Sequence, residues 1–168
     1  STCISCHDMH ETKVRVDECV ACHRGVPDEA SLRAIRSGRD KTDYDGDGDP
    51  TEGIAGEVSG LHGLLYAAIQ TYAASVAGTP VIYDAHSYPY FFIDSNGNGA
   101  ADAGEVSASN RFGSWTPRLV RAADNYQFVA KDPGGYAHKA AYMMQVLYDS
   151  IEVLASKATI ATGTAHRP

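Results

Sequence analysis

The sequence lacks any apolar run of the roughly 20 residues that a membrane-spanning helix needs. It also lacks clustered basic residues, because its 14 Lys and Arg are scattered and outnumbered by 21 Asp and Glu, for a formal net charge of −7. Binding to a nucleic-acid backbone depends on clustered positive charge. We therefore expect neither a membrane span nor a nucleic-acid partner.

Cysteine is scarce, with 4 residues in 168, and every one of them lies in a Cys-x-x-Cys-His motif. The two motifs consist of Cys3, Cys6 and His7, and of Cys19, Cys22 and His23. Two thiols at this spacing form thioethers to one porphyrin edge, while the adjoining histidine ligates the iron, so the motif is typical of covalent c-type haem attachment. The sequence therefore predicts two covalent haems c, and no cysteine remains for a disulfide.

Two other interpretations of the cysteines are open. Paired Cys-x-x-Cys motifs with twelve residues between them come near the spacing of a zinc ribbon, and the four thiols would also suffice for two disulfides. A zinc site does not require a histidine directly after each pair, and the glycines of zinc-binding hairpins are missing around Cys6 and Cys22. We therefore favour haem and keep zinc and disulfides as alternatives.

The sixth iron position decides what a haem does, since a second histidine favours electron transfer and an open position permits reaction with oxygen, peroxide or nitrogen oxides. The motifs assign His7 and His23 as proximal ligands. We predict the distal ligands among His10, His86 and His138. His10 follows His7 too closely to ligate the same iron, so we expect it to reach a neighbouring haem. Three candidates for two irons suggest ligation of a haem in another subunit or segment.

A loop at 94–105 matches the twelve-residue calcium loop at every side-chain ligand position. Oxygen ligands stand at positions 1, 3, 5, 9 and 12, glycine stands at the sharp turn, and position 7 binds through its backbone carbonyl. The predicted ligands are Asp94, Asn96, Asn98, Ala100, Asp102 and Glu105. A surface turn rich in Asn and Gly, without metal, is the alternative.

The acidic run at 43–49 begins the same pattern, but its twelfth position falls on Ile54, which cannot bind a cation. Glu52 or Glu57, which lie near that position, would have to supply the twelfth ligand. Four Asp within seven residues would repel one another strongly without a cation, so we predict a second calcium ion here, with a solvated acidic turn as the alternative. The candidate ligands are Asp43, Asp45, Asp47, Asp49, Glu52 and Glu57.

Apolar residues at steps of three and four predict a mainly α fold with little or no β-sheet. The predicted elements are a short helix at 30–36 that ends at Gly38, helices over about 52–76, 117–129 and 136–157, and extended chain with at most one short strand at 79–93. Thr116 is the predicted cap of the second of these three longer helices. We expect a single domain over 1–168. In it, a cofactor-folded haem segment at 1–27 packs on a calcium-braced helical body at 28–160, followed by a frayed tail at 161–168.

The opening Cys-x-x-Cys-His-Asp-Met-His run resembles that of multihaem c-type cytochromes in which the last histidine ligates a neighbouring haem. Further blocks resemble the carboxyl-terminal part of polyhaem cytochromes from environmental bacteria. They are DYDGDGD at 43–49, YDAH at 83–86, YFF at 90–92, NGNG at 96–99, WTPRL at 115–119 and YDSIE at 148–152. With only two haem motifs, the chain resembles either the final part of a longer protein or a subunit of an extracellular cytochrome filament.

The motifs and the resemblance together predict an electron carrier with bis-His haems. It would be extracellular or periplasmic, after removal of a signal or upstream segment, because haem is attached to these motifs outside the cytoplasm. Its expected partners are other redox proteins or extracellular electron acceptors, or further copies of itself in a homopolymer with haem ligation across subunits. A haem redox enzyme of the peroxidase or nitrogen-oxide reductase type, with one open iron position, is the alternative.

Overall fold

The computed structural model of the chain describes residues 2–11, 13–36 and 39–168. Its helices and strands, in chain order, are α1 (Val16–Val20), α2 (Ile54–Ser75), β1 (Val81–Tyr83), β2 (Phe91–Ile93), α3 (Pro117–Ala130) and α4 (Gly135–Ala155). Single 3-10 turns occur at Cys3–Ser5, Ala30–Ala34 and Ala108–Asn110. The prediction of a mainly α fold is confirmed.

The hydrophobic core lies where α2, α3 and α4 pack against one another. Along α2, Leu61, Leu65 and Ile69 recur every four residues and are fully buried, because positions four apart lie on one face of a helix. Leu147 and Leu154 of α4 are buried to the same extent. Burial of each such side chain stabilises the fold by about 1.5–3 kcal/mol, so the three helices form a stable body for the rest of the chain.

The start of α3 follows the predicted signals. Thr116 is the N-cap, and its Oγ1 accepts the backbone N–H of Leu119 at 3.2 Å, with Pro117 as the first helical residue. A threonine cap satisfies a free helical N–H, and proline at this position loses no hydrogen bond.

The start of α2 lies in close contact with the turn Ala30–Ala34. A Cβ on Gly53 would lie 2.0 Å from the carbonyl oxygen of Arg33, so only glycine fits there. Directly after it, the N–H of Ile54 donates to the carbonyl of Ile35 at 3.1 Å. This contact fixes the segment that leads out of the haem motifs against the first residue of a core helix.

The segment at 79–93 forms two strands, one more than expected. β1 and β2 pair antiparallel, with Ile82 opposite Phe92, and both of these side chains are buried. β-branched and aromatic residues occur in both halves of the segment, and both halves therefore suit a half-buried sheet. The short helix predicted at 30–36 is a 3-10 turn, and its predicted end at Gly38 lies outside the described residues.

The residues expected to fray at the carboxyl terminus contact the body instead. Thr164 Oγ1 donates to the carbonyl of Gly46 at 2.8 Å. Arg167 forms an ion pair with Asp149 of α4 at 2.6 Å. The tail therefore connects α4 with the first acidic loop.

A buried ion pair joins the haem side of the chain to α2. Arg36 Nη1 lies 2.5 Å from Glu57 Oε1, and the two side chains are 7% and 0% exposed. The second carboxylate oxygen, Glu57 Oε2, accepts the backbone N–H groups of Tyr44 and Asp45 at 2.7 and 3.0 Å. Arg36 also donates to the carbonyl of Glu52 at 3.1 Å. Both charges are therefore hydrogen-bonded, as buried charges must be.

We expect Arg36→Ala to lower the free energy of unfolding by about 3–5 kcal/mol, because it leaves the Glu57 carboxylate buried without its countercharge. Urea unfolding followed by circular dichroism would measure the change. The control is Arg167→Ala, which breaks exposed ion pairs and should leave the unfolding midpoint nearly unchanged. An equal loss in both variants would contradict the importance of the buried pair.

Candidate haem site

Both Cys-x-x-Cys-His motifs form the same single helical turn. The N–H of His7 donates to the carbonyl of Cys3 at 2.9 Å, and the N–H of His23 donates to the carbonyl of Cys19 at 2.8 Å. Residues i, i+3 and i+4 of a helical turn lie on one face. The two cysteines and the histidine of each motif therefore share a face, as attachment to one porphyrin edge and ligation of its iron require.

A cavity of about 530 Å³ lies between the two motifs and the start of α4. The cysteine and histidine residues that line it are Cys6, His7, Cys19, His23 and His138. Its apolar wall includes Val14, Leu32, Ile35 and Ile54. Apolar walls exclude water and so influence the reduction potential of a cofactor that lies between them. The cavity thus combines thiols, imidazoles and an apolar lining in one place.

His7 and His138 face each other across this cavity. Their ring centroids are 6.1 Å apart and their ring planes are inclined by 52°. Two metal–imidazole bonds of about 2 Å each, together with half a ring on either side, add up to about 6 Å. The separation therefore fits one metal ion held between the two rings. Among the predicted distal ligands, His138 is the one that the structure brings to the cavity.

Two glycines let α4 present His138 at its first turn. The N–H of His138 donates to the carbonyl of Gly134 at 3.2 Å. A Cβ on Gly135 would lie 2.1 Å from the terminal methyl of Met143, so a larger residue there would require the Met143 side chain to move. Directly after the histidine, Lys139 departs from helical geometry with φ −155° and ψ 56°. The kink separates the turn that carries His138 from the core part of α4.

The other predicted distal ligands are exposed and do not line the cavity. The N–H of His10 donates to Asp8 Oδ1 at 2.8 Å, and the N–H of His86 donates to Asp84 Oδ1 at 2.9 Å. These bonds order the two short turns and leave both imidazoles at the surface.

His62 has a structural role in the core. Its ring stacks on that of Tyr126 with centroids 3.9 Å apart, and Nε2 lies 3.0 Å from the Tyr126 carbonyl oxygen. Burial lowers the pKa of His62, which favours the neutral ring.

His23 also lines a second cavity of about 250 Å³, on the side of the turn Ala30–Ala34. Arg36 and Ile35 contribute to this cavity. Apart from His7, His23 and His138, no histidine among the described residues lines either cavity. No sequence pattern points to Arg36, which is one of 14 scattered basic residues and becomes distinctive only through its burial.

The alternative interpretations of the cysteines find no support in the geometry. No disulfide joins any two of the four cysteines in the structure. Within residues 2–11, 13–36 and 39–168, no three Cys or His ligand atoms lie within 4.8 Å of one another. A tetrahedral zinc site needs four such ligands around one ion. The arrangement therefore matches neither a zinc ribbon nor a pair of disulfides.

The first acidic loop gathers carboxylates around Asp45. Oxygens of Asp45, Asp47 and Glu52 all lie within 4.8 Å of one another, and Asp43 and Glu57 form an overlapping group with Asp45.

Charge repulsion is already visible in this group. Burial, together with the neighbouring carboxylates, raises the pKa of Glu52 to about 7, and burial raises the pKa of Asp45 to about 6. Asp49 instead accepts the N–H and hydroxyl of Thr51 at 2.9 and 2.6 Å. Because Glu57 is paired with Arg36, the second calcium ion stays a prediction with Glu52 as the better placed glutamate.

The loop at 94–105 places its two end carboxylates inside the protein. Asp94 and Glu105 are 8% and 7% exposed. The remaining predicted ligands are exposed, namely Asn96, Asn98, Ala100 and Asp102. The side-chain amides of Asn96 and Asn98 both donate to Asp102 Oδ2 at 2.8 Å, and these bonds lower the pKa of Asp102.

None of the helices in the described part of the chain has the length and apolar character needed to cross a membrane. No family model matches the chain, and neither does any solved structure.

Curated proteins from Geobacter sulfurreducens do match. The C-type polyheme cytochrome OmcB, from two strains, is 27% identical over 159 residues, which cover 81% of this chain and 20% of that protein. The C-type polyheme cytochrome OmcC is 34% identical over 96 residues, which cover 52% of this chain and 12% of that protein. The chain thus spans a fifth or less of the length of these relatives. The predicted resemblance is confirmed, and the chain is a relative of the multihaem c-type cytochromes.

Proposed function

We propose that this chain carries two covalent haems c and transfers electrons, with His7 and His138 as the two axial ligands of the first iron. The observation that carries the proposal is the 6.1 Å separation of these two imidazole rings across a cavity that both haem motifs line. Two histidines on one iron leave no position for a substrate, so such a haem exchanges electrons and does not bind oxygen.

In this proposal, Cys3 and Cys6 form the thioether bonds to the first haem, and Cys19 and Cys22 form those to the second. Because Cys6 and Cys19 line the same cavity, the two haems would lie close together, and electrons would pass from one to the other. The apolar wall at Ile35 and Ile54 would limit access of water to the first haem and thereby influence its reduction potential.

The second iron, on His23, takes its distal ligand from elsewhere in this proposal. Apart from His7 and His138, none of the described histidines lines the cavities beside His23. Conversely, His10 and His86 are exposed and are free to ligate a haem held outside residues 1–168. Haem ligation between segments would then occur either within a longer polyhaem protein, as the lengths of the relatives suggest, or between copies of the chain in a homopolymer.

The setting of this electron transfer is extracellular or periplasmic in our proposal, because haem attachment to Cys-x-x-Cys-His motifs takes place outside the cytoplasm. Its partners would be other redox proteins or extracellular electron acceptors. A haem redox enzyme of the peroxidase or nitrogen-oxide reductase type is the second candidate, favoured by the lack of a histidine opposite His23 among the described residues.

The haem count should follow the motifs. Produced in a bacterial periplasm with its haem-attachment system, the chain should carry two covalent haems, and Cys3→Ala/Cys6→Ala and Cys19→Ala/Cys22→Ala should each carry one. Denaturing mass spectrometry and the haem absorbance per polypeptide measure the count. A colourless protein whose four thiols bind zinc would overturn the proposal.

Removal of His138 should open the first iron. In His138→Ala, we expect one of the two haems to change from low-spin to high-spin and the reduced protein to bind one additional equivalent of CO, because the sixth position becomes free. Absorption and electron paramagnetic resonance spectra measure this change. His138→Met should stay low-spin with a higher reduction potential, since methionine ligation raises it.

The matched control for this series is His166→Ala, which removes an exposed histidine of the tail and should leave the spectra unchanged. If His138→Ala keeps the spectrum of the unaltered protein, the assignment of His138 is wrong. In the unaltered chain on its own, CO binding to one haem is expected for both candidates, because the carrier also takes the distal ligand of its second iron from outside the chain. Turnover of peroxide or of a nitrogen oxide by this haem favours the enzyme, and its absence favours the carrier.

A further inference from the structure

We infer that the loop at 94–105 binds one calcium ion, with Glu105 as the ligand that closes the site. The function proposed above does not require this ion.

Glu105 has one carboxylate oxygen that lacks a partner. The side chain is 7% exposed. Its Oε1 accepts the backbone N–H groups of Ser95 and Asn96 at 2.6 and 3.0 Å. Its Oε2 is buried and has no hydrogen-bond partner among the described residues. A buried carboxylate oxygen without a partner is costly, and a cation bound in the loop would supply the missing interaction.

Asp94 fixes the first half of the loop around the same region. Its Oδ1 accepts the N–H of Gly97 at 2.8 Å, and its Oδ2 accepts the N–H of Gly99 at 2.9 Å. Both glycines have positive φ, +74° and +76°, which side chains rarely tolerate. The backbone therefore wraps closely around one carboxylate, and this conformation specifically needs glycine at both positions.

The other ligands are neutral or exposed oxygens that can turn toward an ion. The amides of Asn96 and Asn98 point their nitrogens at Asp102 Oδ2 and their oxygens at backbone N–H groups within the loop. The complete set is three carboxylates and two amides, with the carbonyl of position 7, and it contains no nitrogen or sulfur ligand. Six to eight flexible oxygen ligands suit calcium better than the smaller magnesium ion, which demands a near-ideal octahedron.

The loop at 43–49 shows the same scaffold with a different partner for the glutamate that closes it. Asp43 accepts the N–H groups of Gly46 and Gly48 at 2.6 and 2.8 Å, as Asp94 accepts those of its two glycines. Glu57 Oε2 accepts the N–H groups of the second and third loop residues, as Glu105 Oε1 does. There the similarity ends.

The second oxygen of each glutamate distinguishes the two loops. Glu57 Oε1 binds the guanidinium of Arg36 at 2.5 Å, whereas Glu105 Oε2 has no such partner among the described residues. Arginine therefore supplies in the first loop the positive charge that Glu105 lacks. Because the two loops are otherwise built alike, this difference favours a metal ion as the partner of Glu105.

The loop is also connected to the body, so its ion should stabilise the fold. Gln70 of α2 donates through Nε2 to the carbonyl of Gly99 at 3.0 Å. Asn110 donates through Nδ2 to the carbonyls of Ile93 and Glu105 at 2.8 and 2.9 Å. An ion that binds the folded loop and not the unfolded chain raises the melting temperature as its concentration rises.

The test uses the haem-loaded chain after treatment with a chelator. Equilibrium dialysis with radioactive calcium measures the affinity, and thermal unfolding with added CaCl2 or MgCl2 measures the stabilisation. We expect Glu105→Gln to weaken binding of one calcium ion by at least about 100-fold, since even indirect changes around a metal weaken binding by 10- to 100-fold. Asp102→Ala alters an exposed residue and so leaves the fold intact. It should also weaken binding of the same calcium ion.

The matched control is Asp124→Asn, which alters an exposed carboxylate of α3 outside both acidic loops and should leave the affinity of that ion unchanged. The inference is overturned if Glu105→Gln binds calcium like the unaltered chain. It is also overturned if calcium at about 1 mM, where weak extracellular sites fill, neither binds nor raises the melting temperature, or if magnesium stabilises equally. Circular dichroism of each variant shows that its helices are retained.

Discussion

The buried pair of Arg36 and Glu57 is the contact on which the arrangement of the site depends. Glu57 has no exposed surface, so a helix of the core carries a charge that must be neutralised from inside. The guanidinium that neutralises it comes from the segment leading out of the haem motifs. Its chain neighbour Ile35 and the first residue of α2, Ile54, are hydrogen-bonded to each other and line the haem cavity. Charge compensation in the body thereby determines where the apolar wall of the site lies.

The haem segment itself has little that would fold it. Neither the turn Cys3–Ser5 nor α1 contains a buried residue, and fixing their backbone costs about 1–2 kcal/mol per residue. A haem bonded covalently to the segment and ligated by His138 would join it to α4. Binding of the cofactor would then contribute directly to folding, as it does in small metal-dependent domains. Gly135 fits this role, because it lets α4 begin close to Met143, three residues before the histidine that lines the cavity with both motifs.

Features that depend on neighbouring residues were predictable from the sequence, and features that depend on distant ones were not. The spacing of Leu61, Leu65 and Ile69 gave α2, and Thr116 with Pro117 gave the start of α3, since each is a local rule. The choice between His86 and His138 depends on which loop packs beside residue 7, and no periodicity encodes that. The pairing of Glu57 with Arg36 was equally unpredictable, because Arg36 lies 21 positions earlier in the chain.

The two acidic loops share one backbone scaffold, but the buried glutamate that closes each loop has a different kind of positively charged partner. A guanidinium is always charged and always present, so Glu57 keeps the same countercharge whatever the ionic conditions. A bound ion depends on its concentration outside the protein. Glu52 of the first loop has no such countercharge, since its Oε1 is buried without a hydrogen-bond partner among the described residues, and it is the carboxylate left for a second ion. No arginine pairs with Glu105 in the part of the chain that the structure describes, and there an exchangeable ion is the partner that we propose.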